Sequence, residues 1–403
     1  MKNQNNNTSL WTIFYFATLL FGCAEGFFLI LSLYINHLGG NEQLTGRIFL
    51  FEAVGAITLI PFGGVILRYI RVVHLILIGV AMFTIGAGIF WVSGLNPGLY
   101  CSAGLLIGAG WGITYTATPV TVATISEPKN NLVHFGMLAA CNMLGMGISP
   151  VIARILQQYQ QLHLMFLLSF VLSIISGILF LLLSRLTDAD GEVPSGKFSS
   201  LGQAISEEFK GLIGVMFSPS RYQIYMVFLG ACVFSTMANF QATFAEQNQL
   251  DYSLYYIFYT ITVIASRIFL SRPLGRLNLH AAGNSMLAIM CSALILFLYV
   301  KGNNILYIFA AIMLGLGYGL AYPVIKAQSI SGIPNEHHTS TLICFSLSYF
   351  IGLYAFPMLA GYIIVQKSYH TLLIVMIGLG LAELLIGLYS QFRKRSINTF
   401  ARA

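Results

Sequence analysis

Glu25 stands near the middle of an apolar run from Leu10 to Asn36, where an ionised side chain costs roughly 2.5–3.5 kcal/mol on insertion scales. A carboxyl kept at that cost either faces a hydrated pathway or carries a proton. Glu25 is therefore a candidate for proton coupling or for holding a cationic part of a ligand, with an interhelical hydrogen bond as the structural alternative. Thr18, Gly22, Glu25, Ser32 and Asn36 recur at steps of three, four or seven, one helical face broken only by Leu29. Glu52, in the next apolar run and nearer its outer end, is the second proton-coupling candidate, with an ion pair to Arg47 or Arg154 as the other reading. Cys232, Thr236, Asn239, Thr243 and Glu246 form a similar stripe further on, with Gln241 beside it. Tyr318, Tyr322 and Lys326 are spaced i, i+4, i+8. An aromatic row ending in a cation suits a ligand with apolar and acidic parts, and interfacial anchoring is the alternative. Tyr115, Asn142 and Arg267 complete the candidate lining. His337 and His338 beside Glu336 have no ligand-spaced partner, so no metal site is expected.

The elements that must position these residues are set by composition. Of 403 residues, 57% are hydrophobic and 8% charged, and the mean hydropathy is +0.80. A soluble domain carries roughly a quarter charged residues, so the chain reads as an all-α polytopic membrane protein. Spans are expected at Leu10–Asn36 and at roughly 44–67, 72–94, 98–125, 132–156 and 161–185, then 222–247, 252–271, 279–300, 304–329, 338–363 and 369–391. That makes twelve transmembrane helices. Residues 1–185 form an N-terminal bundle, and 222–403 form a C-terminal bundle with a basic tail. The linker, 186–221, starts with acids, Pro and Gly and continues with Leu201, Ile205, Phe209 and Leu212 at helical spacing, a short amphipathic helix. The six cysteines each fall in or at the edge of an apolar run and form no disulfide framework.

The two bundles are copies. Gly108-Ala109-Gly110-Trp111-Gly112-Ile113-Thr114-Tyr115 returns 207 residues later as Gly315-Leu316-Gly317-Tyr318-Gly319-Leu320-Ala321-Tyr322. Gly145 and Pro150 map onto Gly352 and Pro357 at the same offset. A shared period of half the chain means one unit used twice, giving two pseudo-symmetric six-helix bundles. Glycines such as Gly110 and Gly317 let backbones approach closely.

With both termini inside, 16 of the 20 Lys and Arg are cytoplasmic, and only Arg47, Arg154, Lys301 and Lys367 fall outside. The formal charge of +7 thus reads as membrane orientation, not as a nucleic-acid surface. A multi-pass protein of a bacterial inner membrane is expected. No phosphate loop, His-Glu-x-x-His pair or Gly-x-Ser-x-Gly elbow occurs, so neither ATP-driven nor hydrolytic chemistry is indicated, and no cofactor is implied.

Two six-helix repeats joined by a cytoplasmic linker resemble the major facilitator superfamily of secondary transporters. The family's motif after the second span normally reads Gly-x-Leu-x-Asp-Arg-x-Gly-Arg. Here it is Gly64-Val65-Ile66-Leu67-Arg68-Tyr69-Ile70-Arg71, and the loop after span 8 has Ser271-Arg272-Pro273-Leu274-Gly275-Arg276, both without the acid. Span 5 resembles the Gly-x8-Gly-x3-Gly-Pro-x2-Gly motif of proton-coupled exporters, as Gly136-x8-Gly145-x3-Ser149-Pro150-x2-Ala153. Small residues remain at each place, and a general packing face is the alternative reading. The resemblance implies that spans 1, 4, 7 and 10 line the substrate pathway, that span 12 with Glu383 is peripheral and structural, and that transport runs by alternating access. It implies proton-linked export of a small organic molecule by a monomer, with import of a carboxylate, sugar or metal chelate as the alternative. A scramblase or sensor built on the same fold is the remaining possibility.

Overall fold

The computed structural model describes residues 2–59, 66, 70–125, 131–187, 213–270, 278–331 and 338–400. The expected amphipathic helix of the linker, most of both loop motifs and the His337 region lie outside them. All regular structure among the described residues is helical: α1 (Lys2–Gly26), a 3₁₀ turn (Phe27–Ile30), α2 (Leu31–His37), α3 (Glu42–Leu59), α4 (Val72–Val92), α5 (Pro97–Ile125), α6 (Asn131–Gln158) and α7 (Leu164–Thr187) come first. Then follow α8 (Arg221–Asn239), α9 (Gln241–Gln247), α10 (Tyr252–Phe269), α11 (Leu279–Phe297), α12 (Asn304–Ile330), α13 (His338–Gln366) and α14 (Tyr369–Phe400). Helices are the answer to long apolar runs, because in lipid each backbone N–H and C=O must find its partner inside the segment. Side chains stop the water-facing ends from fraying. Asp251 accepts from the Ser253 N–H, Asn278 from His280 and Ala281, and Asn303 from Leu306.

Each predicted span is occupied by a helix. By length and composition, eight of the described helices can cross a membrane, and a ninth is α8 with α9, bent by 53°. α3, α5 and α10 fall short because of their polar content. α3 carries Glu42, Arg47 and Glu52 within 18 residues, and α10 opens with Tyr252, Tyr255, Tyr256 and Tyr259.

The chain divides into two compact units, 1–205 and 206–403. In the first, α5 packs on α3 and α4, α1 on α6 and α7, and α4 on α7. In the second, α12 packs on α10 and α11, α8 on α13 and α14, and α11 on α14. These five pairings correspond one to one, and the second unit adds a contact of α8 with α12.

The duplicated glycines explain why. A Cβ on Gly108 would strike the Glu52 backbone, and one on Gly315 would sit 3.0 Å from the Tyr259 carbonyl, 207 residues on. Gly110 meets Gly79 and Phe83, and Gly317 meets Met286 and Met290. Gly112 faces Ala56, and Gly319 faces Val263. Every partner recurs at the period of the sequence repeat, so the glycines are the points where backbones touch.

The first helix of each unit departs from this register. Gly145 meets Leu19 and Cys23, whereas Gly352 meets Phe228 and Cys232. α8 therefore matches α1 two residues later than the sequence period predicts. Gly136, expected as part of the same packing face, has nothing within 4 Å of a Cβ and makes no close approach. In the motif's serine position, the Ser149 hydroxyl donates to the Cys23 carbonyl at 2.6 Å, tying α6 to α1.

Candidate functional site

In the first unit, Glu25 lies in the last turn of α1, before the 3₁₀ turn. The side chains of Trp111 on α5 and Asn142 on α6 hydrogen-bond its carboxylate. Its Oε2 is buried and has no hydrogen-bond partner among the described residues. Close packing delivers these donors. The missing side chain at Gly22 lets the Asn142 backbone approach to 2.6 Å of where a Cβ would be, bringing the amide to Glu25. Trp111 stacks on Tyr115 with centroids 4.8 Å apart and planes at 20°, and Tyr115 is 38% exposed.

Glu52 on α3 is 3% exposed, and its Oε1 is also buried without a hydrogen-bond partner among the described residues. Glu25 lies near enough to act on it electrostatically. The arginine pairing considered for Glu52 is not among the described contacts, and Arg154 Nη1 donates instead to Gln157 Oε1 at 3.1 Å. The first unit thus gathers two carboxyl groups, an indole and an amide, drawn from four helices.

The second unit holds the counterpart of this quartet. With α8 matched two residues later, Glu25 corresponds to Phe234; Glu52, Trp111 and Asn142 correspond to Tyr259, Tyr318 and Tyr349. Phe234, Tyr259 and Tyr318 form an aromatic cluster, and Tyr349 packs on Tyr322 one turn along α12. Phe234 stacks on Tyr318 at 4.8 Å with planes at 2°, and on Tyr259 at 6.2 Å and 28°. Tyr322 packs against Tyr349 at 5.0 Å and Phe345 at 5.6 Å. The Tyr318 hydroxyl is buried with no hydrogen-bond partner among the described residues. The place that is acidic in one unit is aromatic in the other.

The remaining sequence candidates divide. Tyr318 and Tyr322 join the aromatic cluster, while Lys326 lies half-buried two turns along the same helix from Tyr318. Arg267 donates from Nε to the Gly319 carbonyl at 3.4 Å, so it braces α10 against the glycine string of α12. Asn239 is buried beside the bend at Phe240. Gln241 is committed elsewhere: its amide donates to the Tyr307 hydroxyl at 3.2 Å, and Thr243 bonds Tyr369. These contacts hold α9 to α12 and α14.

One site residue escapes a reading by residue type. Trp111 lay inside the repeated glycine string, where aromatic residues pass for packing, and its position opposite Glu25 needed the fold. Glu383 on α14 is 1% exposed, and its oxygens come within 2.9 and 3.0 Å of where a Gly230 Cβ would sit. Gly230→Ala is expected to lower the melting temperature by several degrees, since overpacking costs about 1–3 kcal/mol and each kcal/mol moves a unit of roughly 200 residues by about 2–4 °C. Adding Glu383→Ala should return most of the loss. Equal melting temperatures for wild type and Gly230→Ala would show that the carboxyl moves aside freely.

A family model described as Major Facilitator Superfamily matches residues 14–352. The chain belongs to the Major Facilitator Superfamily. It is accordingly a multi-pass integral membrane transporter and not an enzyme. Among solved structures, the chain is similar to the nucleoside transporter NupG in a point-mutant form, with a TM-score of 0.77 at 13% identity, covering 94% of this chain and 99% of that one. It is equally similar to a point mutant of the peptide transporter POT, with a TM-score of 0.77 at 15% identity over 97% and 95% of the two chains. POT in complex with sulfate gives 0.74 at 16% identity over 96% and 94%. A search of curated proteins returned no match. At these identities the superfamily fold is shared, and the side chains that select a substrate are this chain's own.

Proposed function

We propose that this superfamily member is a proton-coupled exporter of a small organic molecule, working by alternating access in a bacterial inner membrane with both termini cytoplasmic. The observation that carries the reading is the carboxyl pair, half-buried Glu25 and buried Glu52, each with a buried oxygen that has no described hydrogen-bond partner. Two carboxylates near one another and away from water repel and lose hydration, so the pair is a place to take up and release a proton. Trp111 and Asn142 orient Glu25 in either state. The aromatic cluster around Tyr318 and Tyr322 supplies flat apolar faces for the transported molecule. Direction rests on the span 5 motif around Gly145, Ser149 and Pro150, which resembles that of exporters.

Import is the second reading. It draws on half-buried Lys326 at the end of the tyrosine row, which suits an anionic substrate. Nucleosides and peptides, the cargo named for the similar structures, enter here only as compounds to try first.

The test compares small molecules inside cells and in the medium, with the gene deleted and overexpressed, at two external pH values. Export predicts a compound that accumulates inside the deletion strain and outside the overproducer, more strongly with an inward proton gradient. The reverse distribution would establish import, and no change in any solute would remove transport of a small organic molecule.

A further inference from the structure

At the end of the second unit where α8 begins and α14 runs on, two arginines 172 positions apart in the sequence converge on one phenol. Arg393 Nη1 donates to the Tyr222 hydroxyl oxygen at 2.8 Å, and Arg221 Nη2 donates to the same oxygen at 3.2 Å. Both guanidinium groups also lie over the Tyr222 ring, with centroid distances of 5.1 Å for Arg221 and 5.8 Å for Arg393. Among the described residues no carboxylate pairs with either arginine. Two like charges held on a single oxygen repel one another, and nothing described on the protein offsets that repulsion.

The arrangement leaves donors unused. Each guanidinium has five N–H groups, of which Tyr222 takes one. The Tyr222 oxygen accepts from both arginines, which leaves its own proton to donate. A phosphodiester, with two anionic oxygens and one negative charge, fits this set: guanidinium groups bind it through paired N–H groups, and the phenol adds a third contact. The surface beside the arginines is aromatic and exposed. Tyr225 is 44% exposed, Tyr389 57% and Phe392 65%, and Tyr389 packs edge-on against Tyr222 at 5.6 Å. Aromatic side chains below a cationic rim are the arrangement that lines the headgroup level of a bilayer. Lys394 and Arg395 follow directly in sequence.

We propose that Arg221, Arg393 and Tyr222 form a binding site for the headgroup of an anionic phospholipid, with its acyl chains along Tyr225, Tyr389 and Phe392. The site is separate from the carboxyl and aromatic clusters and does not rest on the proposed direction or coupling of transport. The convergence also joins α8 to α14, so the lipid would clamp the first and last helices of the second unit.

Native mass spectrometry of the purified full chain, with phosphatidylglycerol or phosphatidylcholine added, tests the proposal. Wild type should retain phosphatidylglycerol in preference to phosphatidylcholine. Arg221→Gln with Arg393→Gln should lose that preference by roughly thirty-fold, since each cation near an anionic headgroup contributes about 1 kcal/mol. Tyr222→Phe, which keeps the ring and removes the hydroxyl, should lose part of it. Equal retention of the two lipids by wild type would overturn the site, and so would unchanged phosphatidylglycerol retention by the double variant. If inorganic phosphate alone raised the melting temperature as much as phosphatidylglycerol, the ligand would be a soluble phosphate and the lipid assignment would fail. Should the double variant not fold, the wild-type lipid comparison and Tyr222→Phe still decide.

Discussion

Glu25→Gln is expected to uncouple transport from the proton gradient. Glutamine keeps the shape of the carboxyl and can still meet Trp111 and Asn142, which bond Glu25, but it cannot take up or release a proton. In proteoliposomes, flux driven by a pH difference should fall by on the order of 10–100-fold, the range of a typical coupling free energy between two ligands. Substrate exchange without a gradient should persist, because it needs binding and alternation but no net proton movement. Glu52→Gln should have a smaller effect if Glu25 is the member that exchanges its proton with water. Full pH-driven flux in Glu25→Gln would end the coupling role and leave the carboxyl a helix-to-helix hydrogen bond. Loss of exchange along with driven flux would move Glu25 to the substrate itself.

Gly110→Leu and Gly317→Leu are each expected to bring flux to background while the protein still reaches the membrane. At Gly110 a Cβ would strike the Gly79 carbonyl and sit 2.6 Å from the Phe83 nitrogen; at Gly317 it would sit 2.6 Å from the Met290 nitrogen and 2.8 Å from the Met286 carbonyl. Backbone atoms cannot rotate away as a side chain tip can, so the helices must part. Overpacking costs about 1–3 kcal/mol in ordinary cores, and backbone obstacles put these sites at the upper end or beyond. The helices through these contacts, α5 and α12, also carry Trp111, Tyr318 and Tyr322. Gly136→Leu is the control, because its surroundings are open to 4 Å, and it should transport normally. Abundance in the membrane fraction and flux in vesicles separate insertion from function. Wild-type flux in either substituted string would show that close approach there is dispensable for transport.

Part of this was legible in the residues alone. Apolar runs have one structural solution in lipid, so helices were forced at each predicted span. The glycine strings announced a repeat, because side-chain-free positions at a constant spacing have meaning only where backbones meet. Glu25 stood out because a carboxyl in an apolar run is costly. Sequence periodicity says less where a residue type admits two environments. Gly136 fits the small-residue spacing, yet no described atom lies within 4 Å of a Cβ there, since spacing names a face and not what lies opposite. Gln241 bonds Tyr307, a partner 66 positions away that no local pattern names.

The sequence by itself determined the class, the helical content, the twofold internal repeat and the superfamily, all of which follow from hydropathy and from glycine placement along the chain. Only the tertiary structure decided which residues meet. Trp111 and Asn142 come to Glu25 from helices far along the chain. The two-residue offset between α1 and α8 sets Phe234, and not Cys232, where Glu25 would be. That offset turns an acidic cluster in one unit into an aromatic one in the other. Local periodicity cannot report it, because the facing of two helices is set by which backbones can approach, and that is a property of the packed pair.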